Sequence, residues 1–354
     1  MSRTIEITPL ERVLTTLGHK EPDRVPFFLL MTTHGAKALG LSIKDYFSKA
    51  RHVFEGQVAL QEKYGHDCYY NLFYAAMEVQ AWGGEVVFHD DGPPDSAAPF
   101  IREPLQINTL EPPDVSRSPL LLHVLDATRM LAEKSAGRIP IIGVAMSPFS
   151  LPVMQMGFEA YIELIYRQPK LFDTLMAVNE IFCANWANAQ LAAGATAICY
   201  FDPVSSPTII PRDLYLKTGF QVAKRALARI KGPTATHLAS GMSLPIVHDI
   251  AETGTAGIGV SAREDLKQVK AACRNKLSVI GNLNALEMVR WNREDAHNAV
   301  KQAISEAAPG GGFILSDNHG EIPWHVPDEV LLAISEAVHE YGRYPINLLE
   351  THHE

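Results

Sequence analysis

The chain alternates short apolar runs with amphipathic stretches eight times, and this rhythm limits its fold more than any other feature of the sequence. The runs are rich in β-branched or aromatic residues, and helical patterns lie between most of them, as in EDLKQVKAACRN with apolar Leu266, Val269 and Ala272 at helical spacing. Such alternation is typical of βα units around a parallel sheet. The eight runs are residues 24–31, 67–73, 138–146, 195–201, 233–239, 254–260, 277–283 and 311–317.

Eight βα units suggest one closed barrel, and the length of 354 residues suits a barrel of this kind. The sequence therefore predicts an α/β protein with a single (β/α)8 TIM barrel as one domain over residues 1–354. An N-terminal extension precedes the first strand. The Pro-rich segment 90–117, after the second strand, is predicted to be an ordered excursion over the barrel, because apolar sequence on both sides is needed to complete the eight units.

The charge pattern narrows the range of partners and compartments. The formal net charge is -9 and no run of Lys and Arg occurs, which argues against nucleic acid or an acidic membrane surface as a partner. No apolar stretch reaches the roughly 18 residues of a membrane span, and the first residues lack the apolar core of a signal peptide, so we expect a cytoplasmic protein. The four cysteines have no paired spacing, so any metal should be bound by nitrogen and oxygen.

The ends of the predicted strands carry the candidate site, because barrel enzymes place their chemistry at the carboxyl face of the sheet. Polar residues follow several strands, and aromatic and Met side chains lie among them, a combination suited to a pocket for a flat apolar molecule. His34 follows the first strand and is a candidate for orienting the substrate. The residues predicted to bind substrate are His34, Tyr74, Met146, Phe149 and Trp324.

Four segments carry a family resemblance: LERVLTTLGHKEPDRVPFF, AMEVQAWGGEVVFHDDGPP, SVIGNLN and GGFILSDNHGEIPWHVPDEVLLAISEAVHEYGRY. Together they resemble the uroporphyrinogen decarboxylase superfamily, and more particularly its corrinoid-dependent methyltransferase branch. The resemblance runs from about Thr8 to Tyr344. It implies the same (β/α)8 barrel that the eight runs predict.

The resemblance also bears on the substrate and on a metal. True decarboxylases carry an arginine-rich segment after the first strand, whereas this chain has no arginine between Arg24 and Arg51, so decarboxylation of a porphyrinogen is not expected. The thiol-methylating branch holds zinc with a His-x-Cys pair and a later Cys. Here His237 is kept, Ala239 replaces the first Cys and His319 replaces the second.

The resemblance therefore implies zinc bound by His237 and His319. Asp202 is the first choice for a third ligand and Glu78 the second, with Asp202, His237 and His319 as the catalytic residues. Imidazole and carboxylate ligands leave zinc a harder Lewis acid than thiolates do, which suits an ether oxygen rather than a thiol.

The predicted function is transfer of a methyl group from a methoxylated aromatic compound to the Co(I) corrinoid (cobalamin) of a separate partner protein. One alternative is transfer from a methylcorrinoid to a thiol or a tetrahydrofolate-type carrier. A second alternative is a non-catalytic barrel that binds a tetrapyrrole or a corrinoid. The sequence does not identify the methyl donor or the oligomeric state, for which a homodimer is one option.

Overall fold

A computed structural model describes residues 7–346, so the two ends of the predicted domain, 1–6 and 347–354, lie outside the described part. The strands are β1 (Tyr69–Tyr70), β2 (Val86–Val87), β3 (Asp95–Ser96), β4 (Ile141–Met146), β5 (Ala197–Phe201), β6 (Thr234–His237), β7 (Gly257–Gly259), β8 (Ser278–Leu283) and β9 (Phe313–Asp317). β1 and β4 to β9 form a seven-stranded sheet in which each strand pairs in parallel with the next along the chain. Each of these seven strands falls within one of the predicted apolar runs.

The first predicted strand, residues 24–31, is not a regular strand, although it lies between the two edges of the sheet. On one side the Phe28 N–H donates to the Leu315 carbonyl oxygen at 2.8 Å, and on the other the Asp67 N–H donates to the Phe27 oxygen at 2.9 Å. Pro26 has no N–H to donate, and the Phe27 N–H donates to the Asp67 carboxylate instead of a backbone oxygen. The segment therefore follows the path of a strand with a single bridge to the sheet, from Phe27 to Leu315, and a second, antiparallel bridge joins Arg24 to Arg343 outside the sheet.

The sheet curls around a central cavity, and side chains alternate between the face toward this cavity and the face toward the helices. In segment 24–31, Phe28 and Leu30 face the cavity, whereas Phe27 and Leu29 join the core between sheet and helices. The observed architecture is thus an α/β fold with a curled, seven-stranded parallel sheet of the TIM-barrel kind.

Helices cover the outer face of the sheet. The longer helices bury their apolar faces against it. Among residues 7–346, no helix is long and apolar enough to span a membrane. The helices are α1 (Pro9–Leu17), α2 (His34–Leu39), α3 (Ile43–Phe47), α4 (Ala50–Tyr64), α5 (Met77–Ala81), α6 (Pro119–Ser135), α7 (Pro152–Met156), α8 (Phe158–Arg167), α9 (Pro169–Ala192), α10 (Arg212–Lys217), α11 (Gly219–Leu227), α12 (Val247–Ala251), α13 (Leu266–Cys273), α14 (Arg293–Ala307) and α15 (Asp328–Tyr341).

The Pro-rich segment 90–117 is ordered. It contains β3, which pairs antiparallel with β2, and two short 3-10 helices, Pro104–Thr109 and Val115–Arg117. Ile101 and Ile107 are buried in the main core, and the Ile101 N–H donates to the Gln155 oxygen at 2.9 Å. These contacts hold the segment against the helical layer.

Helix α1 lies across the amino-terminal end of the sheet. It begins with a capping box between Thr8 and Glu11. Its Arg12 guanidinium forms ion pairs with Asp23 at 2.6 Å and with the buried Asp67 at 2.7 Å. These pairs tie α1 to the residues that flank segment 24–31.

Candidate active site

The curled sheet encloses a cavity of about 440 Å³. At its amino-terminal end the cavity meets Val13 and Leu17 of α1, and at its carboxyl end it meets residues 319–325 and 91–95. Most of its wall is apolar, formed by alternate residues of the strands. The cavity therefore lies where the sequence predicts the site and extends below it, through the interior of the sheet.

The charged side chains of the wall are acidic. Among the residues that the structure describes, no lysine or arginine lines the cavity. Burial raises the pKa of Asp317 to about 6, and its Oδ1 accepts a hydrogen bond from the Leu30 N–H. The acidic residues of the wall are Glu78, Asp91, Asp95, Asp317 and Glu321.

His237 ends β6 and is held by a neighbouring aromatic ring and by a backbone hydrogen bond. Its ring stacks on Phe201 of β5, with centroids 5.4 Å apart and planes 21° apart. Its Nδ1 accepts a hydrogen bond from the Ala239 N–H at 3.0 Å. Burial and the neighbouring His319 lower the pKa of His237 to about 4, so the ring is neutral at neutral pH.

His319 lies in the loop after β9 and lines the same cavity. Its Nδ1 is 2.6 Å from the Ser240 hydroxyl oxygen, and burial lowers its pKa. The loops after β6 and β9 thus bring the two predicted histidines to one wall. Neutral imidazole is the form that can bind a metal or exchange hydrogen bonds with an uncharged ligand.

Asp202, the first choice for a third zinc ligand, does not line the cavity. Only 2% of its surface is exposed, and its Oδ1 accepts hydrogen bonds from Ser147 at 2.5 Å and Ser150 at 2.7 Å. Ser205 donates to Oδ2 at 2.6 Å. Both carboxylate oxygens are therefore engaged in fixing the loops after β4 and β5, and this geometry disagrees with the predicted ligand and catalytic roles.

Glu78, the second choice, lines the cavity but lies at another part of the wall. Its Oε1 accepts a hydrogen bond from the Met146 N–H at 2.9 Å, at the end of β4. Burial raises the pKa of Glu78 to about 8, against the opposing effects of the Met146 amide and the Trp186 side chain. Glu78 is thus a carboxyl group that the fold keeps protonated at neutral pH.

The side chains do not converge on a zinc site of the predicted kind. A catalytic zinc needs three protein ligands and one open position. Within residues 7–346, no three His, Cys, Asp or Glu side chains are grouped so that they could hold a metal ion. The Nδ1 of His237 is also engaged by a backbone N–H. The donors present therefore do not fit a three-ligand zinc centre.

Three of the five predicted substrate contacts line the cavity: Tyr74, Met146 and Trp324. Phe149 does not, because it turns outward and packs against the rings of Tyr161 and Phe172 at 5.9 and 6.1 Å. His34 is buried outside the wall, with its ring centroid 6.3 Å from that of Trp324. The predicted positions of Phe149 and His34 are therefore corrected.

Two contributions were not foreseen in the sequence. The loop 91–95 of the Pro-rich segment reaches the mouth, where Asp91 lies 3.1 Å from His325 across the opening. Gly259 ends β7 beside His237, and its lack of a side chain leaves room for the imidazole ring. The sequence GIG at residues 257–259 could have predicted this contact, because a glycine inside a strand often marks a place where another group packs closely against the backbone.

Comparison with known proteins agrees with this architecture. The sequence profile of the family described as "Uroporphyrinogen decarboxylase (URO-D)" matches residues 8–341. A uroporphyrinogen decarboxylase from Alkalilimnicola ehrlichii is 26% identical over 256 residues, which are 68% of this chain and 67% of the relative. One from Methylibium petroleiphilum is 27% identical over 262 residues, 69% of this chain and 68% of the relative.

Solved structures with the same fold carry other names. A methyltransferase from Methanosarcina mazei superposes with a TM-score of 0.80 at 21% identity, covering 95% of this chain and 99% of its own. A B12-independent methionine synthase from a Shewanella species gives a TM-score of 0.53 at 12% identity, covering 84% and 89%. At these identities the likeness concerns the fold.

Proposed function

Because the chain belongs to the uroporphyrinogen decarboxylase family, we propose that its cavity is an active site, and that the reaction is methyl transfer rather than decarboxylation of a porphyrinogen. The donor is a small methoxylated aromatic compound. The acceptor is the Co(I) corrinoid of a separate protein. In this proposal the chain forms a (β/α)8 barrel, and segment 24–31 takes the place of its first strand.

The charge of the cavity carries the proposal. A porphyrinogen substrate brings several carboxylates, which need cationic partners once they leave water. The described wall offers no lysine or arginine and carries five acidic side chains. A decarboxylase of such a substrate would have to hold several carboxylates against a wall without cationic partners, whereas an uncharged aromatic molecule meets no such cost.

The rest of the wall suits a compact aromatic ligand. Phe201, Tyr74 and Trp324 offer ring faces, and the volume of about 440 Å³ lies in the lower part of the range for small-molecule pockets. The fold likeness to a methyltransferase over nearly the whole chain supports the choice of reaction class. The opening at the carboxyl end, between loops 91–95 and 319–325, is where a partner would reach the methyl group.

The chemistry requires that a bond between the methyl carbon and the aromatic oxygen breaks, with its electron pair left on that oxygen. The Co(I) corrinoid supplies the electron pair of the new bond to carbon. The apolar wall excludes water and orients the ring. The neutral imidazoles of His237 and His319 line the wall, where hydrogen bonding to the departing oxygen stabilises its developing charge.

We assign no step to zinc, since the third ligand that the sequence suggested is engaged elsewhere. The prediction has a direct test in metal analysis of the purified protein. About one zinc per chain that is lost in both His237→Ala and His319→Ala would support the predicted site, and full retention in both variants would contradict it.

The function is tested by incubating the purified protein with chemically reduced cobalamin and a set of methoxybenzenes. We expect loss of the Co(I) absorption band together with release of the matching phenol. As a control, the same protein receives uroporphyrinogen under anaerobic conditions, and carboxylate loss is followed by chromatography. Decarboxylation of the porphyrinogen, without demethylation of any methoxybenzene, would overturn the proposal.

A further inference from the structure

We propose that His237 acts as a neutral hydrogen-bond donor through Nε2–H, and that Gly259 is the positioning residue that allows its ring to take this orientation. This inference rests on the proposed function, because the acceptor of the hydrogen bond is the departing oxygen of the methyl donor. It assigns His237 a role different from that of a zinc ligand.

The tautomer follows from the Ala239 backbone. In a neutral imidazole one nitrogen carries the proton and the other accepts. The Ala239 N–H donates to Nδ1 of His237 at 3.0 Å, so Nδ1 is the acceptor and the proton lies on Nε2. Ala239 has a φ of 52°, in the left-handed region. In this backbone turn the Ala239 N–H points back toward the ring of His237, two residues earlier.

The protonated nitrogen is left available on the cavity side. Within residues 7–346, no side chain or carbonyl accepts a hydrogen bond from Nε2 of His237, while the residue lines the cavity. A fixed N–H donor that faces a departing oxygen stabilises negative charge without transferring a proton. The oxygen then takes its proton from water after the product leaves.

Neighbouring strands fix the plane of the ring. Phe201, His237 and Gly259 share one level of the sheet, as their strand pairing shows. Phe201 covers one face of the imidazole. A Cβ atom at Gly259 would lie 2.4 Å from Cδ2 and 2.8 Å from Cγ of His237, far inside contact distance. Any side chain at position 259 would therefore displace the ring and its N–H.

The experiment is a long-range proton–nitrogen correlation NMR spectrum of the protein labelled with 15N-histidine, with His237 assigned by comparison with His237→Gln. We expect a protonated Nε2 and an unprotonated Nδ1, and a shift of the Nε2–H resonance when a methoxybenzene is added. An Nδ1–H tautomer or a metal-bound pattern in the donor-free protein would overturn the inference, and so would an Nε2–H resonance that does not move in a protein that demethylates the added methoxybenzene. The tautomer is read without any donor, so failure of the proposed function is seen separately.

Gly259→Ala tests the positioning role. We expect loss of the parental His237 pattern and a fall of about tenfold or more in kcat for demethylation, with a smaller change in KM. Gly257→Ala is the matched control, since it lies on the same face of β7 and its Cβ would be 3.2 Å from the Ser278 oxygen. An unchanged His237 spectrum in Gly259→Ala, or an equal change in both variants, would show that Gly259 does not position the ring. If Gly259→Ala fails to fold, the NMR measurement of the His237 tautomer in the parent protein still tests the inference.

Discussion

Tyr74 and Phe149 are aromatic residues that each follow a strand, yet their rings lie on opposite sides of the sheet. Tyr74 lines the cavity, and its hydroxyl donates to Gln80 at 2.9 Å. Phe149 is fully buried in the outer core, where the Tyr161 hydroxyl donates to its carbonyl oxygen at 2.7 Å. Their contributions to binding and to stability should therefore separate.

We expect Tyr74→Ala to raise the KM for the methoxylated donor by about tenfold, because apolar contact area is lost from the cavity. Phe149→Ala should leave KM nearly unchanged and lower the free energy of unfolding by about 3 to 5 kcal/mol, because it leaves a cavity in the core. Steady-state kinetics and urea unfolding measure the two effects. Equal increases in KM would mean that both residues form the donor pocket.

Glu78 gives the chain a stability term that depends on pH. The pKa of Glu78 is raised to about 8 in the folded protein, from an ordinary value of 4.5, so folding favours the protonated form. This stability is fully present below about pH 4.5 and is lost as the pH rises through 8. Glu78→Gln keeps an oxygen for the Met146 N–H and removes the titration.

We therefore expect Glu78→Gln to become more stable relative to the parent as the pH rises from 5 to 8. The relative change should be on the order of a few kcal/mol. Urea unfolding of both proteins at several pH values measures it. A difference that stays constant between pH 5 and pH 8 would show that Glu78 ionises normally in the folded chain.

The sequence predicts the location of some site residues but not the direction of every side chain. The strand pattern predicted that His237 and His319 share one wall, because the carboxyl ends of parallel strands meet at one edge. The same pattern does not predict where a side chain points just past a strand, where the backbone turns. Asp202 and Phe149 both lie in such turns, and their side chains point into the loop layer and the outer core.

At the scale of elements, α1 carries a buried cation, Arg12, that ties it to the start of the barrel. Replacing Arg12 by Met would leave the Asp67 carboxylate with Arg24 as its remaining ionic partner and Asp23 without the Arg12 pair. We expect the free energy of unfolding to fall by about 3 kcal/mol, because breaking a buried ion pair leaves a poorly compensated charge.

Arg51→Met is the matched control, since the Arg51 pair with Glu55 is an exposed pair one helical turn apart. Its loss should cost under about 1 kcal/mol. Chemical unfolding of both variants provides the comparison. Similar losses would mean that the Arg12 pairs contribute no more than a surface contact.

The order and direction of the strands were predictable from the sequence. The exception is segment 24–31, which is not a regular strand, and its cause can be identified. Seven apolar runs became parallel strands because each could complete its backbone hydrogen bonds with a neighbour. In segment 24–31, buried carboxylates take this role: Asp67 accepts from the Phe27 N–H, and Asp317 accepts from the Leu30 N–H. The sequence shows these carboxylates, but their pairing with a segment 40 and 287 residues away depends on the folded chain.

At the scale of the whole molecule, the cavity joins distant parts of the chain. Its wall combines α1, the strands, the loop 91–95 and the loop 319–325. The strand contributions follow from alternation along each apolar run. The contribution of loop 91–95 does not, because it depends on how the Pro-rich segment folds back over the mouth.

Helix α1, which lies beneath the cavity, has a consequence for the order of events in catalysis. Val13 and Leu17 line the cavity at its amino-terminal end, opposite the entrance between loops 91–95 and 319–325. A large partner seated at that entrance would block a small molecule from passing. Under the proposed function, the donor would enter through this opening before the partner docks and the demethylated product would leave after the partner departs, so we expect an ordered kinetic mechanism.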